Sequence, residues 1–141
     1  MRPRHRTRYD PPVNTVAELV GVYDADGGFA GEARYVIGHL LGRAECSLCD
    51  ITHGQVRRKR EFDEFRVRLG IPFEVVHRNE RGPEVAAATA DALPCVVAVA
   101  DAGLVIVLGR VELEQCDGDV DQFEHALLAA IAAKGLCFPN R

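Results

Sequence analysis

One short segment of the chain holds residue types that can do chemistry. It reads Cys46-Ser-Leu-Cys49-Asp-Ile-Thr-His53. On a helix, the two cysteines and the histidine are separated by three and four residues, so all three project from the same face. Their side chains can then react with one another or bind one metal ion together.

A redox dithiol is the first chemistry that fits this segment. A cysteine at a helix N-terminus has its thiolate favoured and its pKa lowered by the helix dipole and by unpaired backbone N–H groups. Cys46 would then attack a disulfide, and Cys49, one turn along, would resolve the mixed disulfide. His53 can add positive charge or carry a proton, whereas Asp50 disfavours a nearby thiolate.

A metal centre is the second chemistry. Cys46, Cys49 and His53 suit Zn²⁺, which would need a fourth ligand from elsewhere in the chain; copper and an iron–sulfur cluster stay open. Cysteine also packs as a small apolar residue, so a core helix without chemistry is a third interpretation. Cys116 and Cys137 have no motif around them and are interpreted as incidental, one in a loop and one in the tail.

Composition limits the class of protein. The chain has 141 residues, 48% of them hydrophobic, and a net charge of −4. These values predict a single domain over residues 15–141, preceded by a flexible basic tail over residues 1–14, and they disfavour a nucleic-acid binder. The apolar runs are too short to span a membrane, and no export signal is recognised. Five cysteines, an odd number, fit a reducing compartment, so we expect a cytoplasmic protein with no nucleic-acid or membrane partner.

Hydrophobic periodicity and turn residues predict the elements that must position the cysteine segment. Strands are expected at 17–23, 73–77, 94–100 and 104–108, the last two as an antiparallel hairpin. Helices are expected at 31–41, 46–69 with a bend at Gly54, 83–91, and 119–133. The predicted apolar stripes are Phe62, Phe65 and Leu69 on the second helix and Val120, Phe123, Leu127 and Ile131 on the last, which Asp119 would cap. This string predicts a mixed α/β layer protein.

From residue 46 onward the order of these features resembles the thioredoxin-like superfamily. In that family a C-x-x-C opens a helix, and a strand, a helix, a cis-proline, a β-hairpin and a closing helix follow. Cys46 and Cys49 match the dithiol, and Pro94 matches the proline that starts the hairpin. The resemblance implies a thioredoxin-like three-layer sandwich, with the helix at 31–41 inserted before the C-x-x-C helix.

The resemblance also implies the rest of the site. Pro94 would be cis, and Leu93 and Pro94 would shape a substrate groove against the dithiol. Cys95 would then lie close to Cys46, as a third thiol or as the fourth ligand of a zinc ion. The implied partners are a protein or a low-molecular-weight thiol or disulfide. No cofactor is expected in the redox interpretation, and zinc is expected in the alternative.

The cysteine block is also similar to one in a group of uncharacterised bacterial proteins, a likeness that implies no activity. Some of those proteins are labelled GTPases, but this chain has no G-x-x-x-x-G-K-[ST] loop. Three functions therefore stay open: a thiol–disulfide oxidoreductase or thiol-based redox protein, a metal-binding protein, and a non-catalytic interaction domain. Whether the protein is an enzyme, and its oligomeric state, are not predicted.

Overall fold

The structure is a computed structural model that describes residues 14–24, 47–52 and 60–139. Within these ranges the chain forms five strands and five α-helices, numbered here in chain order. The strands are β1 (Asn14–Val22), β2 (Phe73–Val76), β3 (Cys95–Ala100), β4 (Gly103–Leu108) and β5 (Leu136–Cys137). The helices are α1 (Ser47–Thr52), α2 (Arg60–Leu69), α3 (Pro83–Thr89), α4 (Arg110–Gln115) and α5 (Val120–Ala133). The predicted helix at 31–41 and residues 1–13 of the predicted tail lie outside the described residues, whereas Asn14, the last residue of that tail, belongs to β1.

The five strands form one open mixed sheet in the order β2-β1-β3-β4, and β5 pairs with β1 as well. β1 is parallel to β2 and antiparallel to β3, and β3 forms an antiparallel hairpin with β4. The last residues of β1, β2 and β4 and the first residue of β3 therefore lie along the same edge of the sheet. We call this edge the carboxyl edge. The chain is thus a mixed α/β protein, as the sequence predicts.

One face of the sheet is packed with aromatic rings. Phe62 and Phe65 from α2, Phe73 from β2 and Phe123 from α5 all contact one another, with ring centroids 5.6 to 6.4 Å apart. Three of the six pairs are edge-to-face, an arrangement that aromatic quadrupoles favour, and the other three are tilted. We call this side the aromatic face. Its fully buried rings anchor α2 and α5 against the strands.

The other side of the sheet, which we call the aliphatic face, carries a smaller cluster. Its buried members are Val20, Val22, Leu93, Cys95 and Val97, with Val85 of α3 packed against them. Successive strand residues point to opposite faces. β3 follows this rule, since its two alternate residues Val96 and Ala98 belong to the aromatic face.

The two longest helices form where the sequence predicts them. The stripes Phe62, Phe65 and Leu69 on α2 and Val120, Phe123, Leu127 and Ile131 on α5 are buried, as predicted. Asp119 caps α5, because its side chain accepts the backbone N–H groups of Asp121 at 2.8 Å and Gln122 at 3.3 Å. Gly135, with φ of +71°, ends the helix in the left-handed conformation that glycine adopts without strain.

Other elements differ from the prediction. β1 begins at Asn14 instead of residue 17, because β5, which the sequence did not predict, pairs with Asn14 and Thr15. The predicted helix 46–69 is described in two pieces, α1 and α2, and residues 53–59 between them lie outside the described residues. Helix α4 was not predicted, because its six residues bury only Leu113 and so carry no periodic stripe.

Two cysteines lie in more structured places than predicted. Cys116 was interpreted as a loop residue, but it caps α4, is 2% exposed and belongs to the core. Cys137 was placed in the tail, but it lies in β5, paired with β1. Short elements of two to six residues carry too little periodicity to be recognised from sequence. Among the described residues, no helix is long and apolar enough to cross a membrane.

Candidate functional site at the carboxyl edge

The cysteine segment is described only in part. Cys46 and His53 lie outside the described residues, immediately before and after α1 in the sequence. Cys49 lies on α1, is 5% exposed and belongs to the cluster of the aromatic face. Its two apolar neighbours on the helix, Leu48 and Ile51, are fully buried. Cys49 is therefore a residue of a buried helix face and not of an exposed loop.

Helix α1 packs tightly against β1. At Gly21 a Cβ atom would stand 3.2 Å from Leu48 Cδ2 and 3.3 Å from a ring carbon of Phe73, closer than comfortable van der Waals contact. Glycine at this position therefore allows the close approach of the helix and the strand. Tyr23, the residue that follows β1, binds Thr52 at the end of this helix.

A buried pair of hydroxyl groups joins α1 to the end of β1. The hydroxyl groups of Tyr23 and Thr52 lie 2.6 Å apart and share a hydrogen bond. The hydroxyl of Thr52 also lies 3.4 Å from the carbonyl oxygen of Cys49, to which it can donate. Thr52 is fully buried and Tyr23 is 5% exposed, so this pair satisfies two polar groups that would otherwise be costly to bury.

Tyr23 also contacts His77, the residue that follows β2, with ring centroids 5.1 Å apart in an edge-to-face arrangement. The sequence suggested no partner for His77. In the structure its Nδ1 lies 2.7 Å from Glu80 Oε1, which also accepts the backbone N–H of His77 at 2.7 Å. These two hydrogen bonds lower the pKa of the Glu80 carboxyl below its ordinary value. Glu80, the partner of His77, lies in a 3₁₀ turn at Arg78–Glu80, and this turn is too short to be recognised from the sequence.

Leu93 and Pro94, the predicted groove residues, lead into β3 at the same carboxyl edge. The peptide bond between them is cis, as the resemblance implies. The carbonyl oxygen of Leu93 accepts hydrogen bonds from Nε of Arg110, at 3.0 Å, and from its Nη2. The same Nη2 lies 3.1 Å from Asp24 Oδ2, at the end of β1.

Asp24 forms ion pairs with two arginines at this edge. Besides Arg110, the guanidinium of Arg78 lies 3.5 Å from Asp24 Oδ1. In the sequence Asp24 belongs to a turn that ends an apolar run, and Arg78 and Arg110 belong to no motif. No sequence signal could have found them, because they follow three different strands and meet only when the sheet forms.

Cys95 lies apart from Cys49. It is fully buried in the aliphatic cluster, whereas Cys49 belongs to the aromatic face, so the sheet separates the two. Burial raises the pKa of the Cys95 thiol from 9.0 to about 11, which keeps it protonated at neutral pH. No three His, Cys, Asp or Glu side chains in the described ranges come together as a metal site.

A groove of about 710 Å³ lies elsewhere, between β4 and helices α4 and α5. Its lining includes Cys116, His125 and Lys134 along with small residues of α5. Burial raises the pKa of the Cys116 thiol, and the nearby Asp119 adds to the effect. The predicted site residues that the structure describes, Cys49, Leu93, Pro94 and Cys95, do not line this groove.

Comparison of the chain with protein-family models, with curated proteins and with solved structures finds no match.

Proposed function

We propose that the protein is a thiol–disulfide oxidoreductase, or a thiol-based redox protein, with a thioredoxin-like three-layer fold. In this proposal Cys46 is the nucleophile and Cys49 is the resolving thiol. Leu93 and Pro94 shape the groove that receives the substrate. No resident cofactor takes part.

One observation carries the proposal. Two consecutive residues, Tyr23 and Asp24, connect the cysteine helix with the start of β3. Tyr23 binds Thr52 on α1, and Asp24 binds Arg110, which in turn holds the carbonyl of Leu93. The helix that carries Cys49 and the peptide before Pro94 are thus tethered to adjacent positions at the end of one strand, although they are more than forty residues apart in the chain.

The order of elements supports the fold assignment. After α1 come α2, a strand parallel to β1, helix α3, the proline, the antiparallel hairpin of β3 and β4, the short helix α4, and α5. Helices pack on both faces of the sheet, with α3 on the aliphatic face and α2 and α5 on the aromatic face. In the thioredoxin-like superfamily a strand, a proline, a hairpin and a closing helix also follow one another in this order.

The proposed reaction exchanges one disulfide for another. The Cys46 thiolate attacks a substrate disulfide R–S–S–R′, forms a mixed disulfide with R–S, and releases R′–S⁻. The Cys49 thiolate then attacks the sulfur of Cys46, forms the Cys46–Cys49 disulfide, and releases R–S⁻. The substrate gains two electrons and the protein loses two, and a dithiol such as dithiothreitol restores the reduced protein.

The burial of Cys49 suits the second of these steps. A resolving thiol attacks a sulfur bound to its own chain, so it does not have to meet the substrate from solution. Cys49 is 5% exposed, so it is shielded from disulfides in solution. A spacing of three residues on a helix puts its side chain near that of the residue one turn earlier.

The test combines thiol counting with single substitutions. Mild oxidation with diamide should remove two of the five thiols of the native protein, and Cys46→Ser or Cys49→Ser should abolish that loss. Incubation of Cys49→Ser with bis(2-hydroxyethyl) disulfide should trap a mixed disulfide on Cys46, detected by mass spectrometry. Cys137→Ser, a half-buried cysteine outside the block, is the matched control and should behave as the wild type.

Two results would contradict the proposal. The first is equal reduction of bis(2-hydroxyethyl) disulfide by wild type and by Cys46→Ser. The second is thiols that stay masked until a chelator is added, with about one equivalent of zinc in the protein, which would favour the metal-binding alternative.

A further inference from the structure

The outer side of β4 is an unpaired edge of the sheet. β4 is the last strand in the order β2-β1-β3-β4, and among the described residues no strand pairs with its outer side. Alternate residues of an edge strand present backbone N–H and C=O groups that have no partner in the ladder. A further strand can bind there by continuing the main-chain hydrogen bonds of the sheet.

The residues of β4 do not protect this edge. Over Gly103–Leu108 the strand reads Gly-Leu-Val-Ile-Val-Leu, without the charged residues or prolines by which natural proteins prevent edge pairing. Its register with β3 shifts near Val107, so 103–106 is the regular part. The other outer strand, β2, is four residues long and carries the exposed Glu74. Of the two edges, that of β4 is the one suited to pairing.

The groove between β4, α4 and α5 lies beside this edge. Its α5 wall is made of alanines three and four residues apart, which share one flank of the helix: Ala126, Ala129, Ala130 and Ala133. The opposite flank of α5 is turned toward α2, where Glu124 forms an ion pair with Arg68 at 2.7 Å. Small side chains let a second helix approach to an interaxial distance of about 8 Å. One partner can therefore contact both the β4 edge and the alanine flank.

The two ends of the groove carry opposite charges. Glu112 lies on α4, which follows β4 at the carboxyl edge, and Lys134 follows the last residue of α5. Helix α5 runs from the carboxyl edge to the opposite edge, because β5, which comes next, pairs with the first residues of β1. Both side chains are exposed. The groove is thus lined by a negative charge at the carboxyl edge and by a positive charge at its other end.

A second copy of the chain is complementary to this surface. A two-fold axis perpendicular to the sheet at Val105 makes the two β4 strands antiparallel and keeps each face of the sheet on its own side. Leu104 then lies opposite Ile106 of the partner subunit, and both residues belong to the aliphatic face. The alanine flanks of the two α5 helices meet on the aromatic face. Because the axis reverses the groove, Glu112 lies toward Lys134 of the partner subunit.

We propose that the protein forms a symmetric homodimer through β4, in which the two sheets join into one. The charge pattern favours a second copy over a strand of another protein, because a two-fold contact brings each end of the groove against the oppositely charged end. This proposal is independent of the thiol chemistry proposed above.

Sedimentation equilibrium of the full chain at about 1 to 100 μM tests the assembly. The wild type should have twice the mass of one chain. Leu104→Lys puts a charge on the pairing strand at a position that is partly exposed in one copy, and it should give the mass of one chain. Val67→Lys is the matched control, because Val67 is an apolar residue of α2 that is 83% exposed, and it should leave the dimer intact.

Charge reversal tests the orientation of the two copies. Lys134→Glu should raise the dissociation constant of the dimer about tenfold, because two equivalent ion pairs become repulsions. Glu112→Lys should weaken the dimer in the same way. The double variant with both substitutions has opposite charges at the ends of the groove again, so it should recover most of the affinity of the wild type.

Three results would overturn the proposal. The first is a wild type that remains a single chain at about 100 μM, which would leave the edge to a strand of another protein. The second is a Leu104→Lys variant that still forms the dimer. The third is a double variant that binds no more tightly than either single charge reversal. If circular dichroism shows that Leu104→Lys is unfolded, the charge reversals decide.

Discussion

The two faces of the sheet differ in how they are built. The aromatic face buries four mutually packed phenylalanines under α2 and α5, and it also holds α1 with Cys49. The aliphatic face has a thin layer of valines, Leu93 and Cys95 under the seven-residue helix α3. Each face thus carries one of the two predicted site cysteines that the structure describes.

The difference changes what each cysteine can do. Cys49 lies on a helix whose end is bound to the carboxyl edge through Thr52 and Tyr23. Cys95 lies within a strand, in apolar surroundings on the opposite face, and burial raises its pKa. Cys95 follows directly after Pro94, a predicted groove residue, and lies with Leu93 in the aliphatic cluster, on the face opposite Cys49. Closeness in sequence to a predicted groove residue therefore does not bring Cys95 close to Cys49.

Truncating one residue on each face gives the largest contrast. Phe123→Ala should lower the free energy of unfolding by about 3–5 kcal/mol, because it leaves a cavity among three other rings. Val97→Ala on the aliphatic face removes two methyl groups and should cost roughly 2 kcal/mol. Urea denaturation of both variants measures the two values. Equal losses in the free energy of unfolding would show that the ring cluster stabilises the protein no more than the aliphatic cluster does.

The buried thiol on the aliphatic face should make stability fall at alkaline pH. Cys95 loses its proton near pH 9 when unfolded but near pH 11 when folded, so between these values the folded state binds the proton more tightly. Stability from this group is complete below pH 9 and declines as pH rises, by about 2 kcal/mol near pH 10.5. The free energy of unfolding at pH 8 and pH 10.5, compared between wild type and Cys95→Val, isolates the effect.

The matched control for this measurement is Cys137→Val, a half-buried cysteine of β5. It should keep the alkaline loss that Cys95→Val removes. The same loss in wild type and Cys95→Val would contradict the assignment of a raised pKa to burial on this face.

The smallest effect is expected at the hydroxyl pair of the aromatic face. Tyr23→Phe removes the hydroxyl that hydrogen-bonds to Thr52 and keeps the ring that contacts His77, so it should cost about 1–2 kcal/mol. Thr52→Val should cost a similar amount. In the double variant the two losses should fall short of their sum, because both remove the same hydrogen bond. Additive losses in denaturant titrations would show that the pair is not coupled.

Much of the local structure follows from the sequence by itself. The stripes of α2 and α5, the Asp119 cap, the β3–β4 hairpin and the mixed α/β class were predicted and are confirmed. These features depend on periodicity and turn chemistry within a few residues, which a single sequence displays. The cysteine block was also found in this way, because its spacing is local. Its role stays a prediction.

The tertiary structure alone decided the rest. Nothing in the sequence shows that Asp24 and Arg110 meet or that Arg110 binds the Leu93 carbonyl, because such contacts join residues from strands far apart in the chain. Nor does it show that Cys95 faces away from Cys49, since this depends on the register of β3 in the sheet. A one-residue change of register reverses the face of every side chain, and only the packed sheet fixes it.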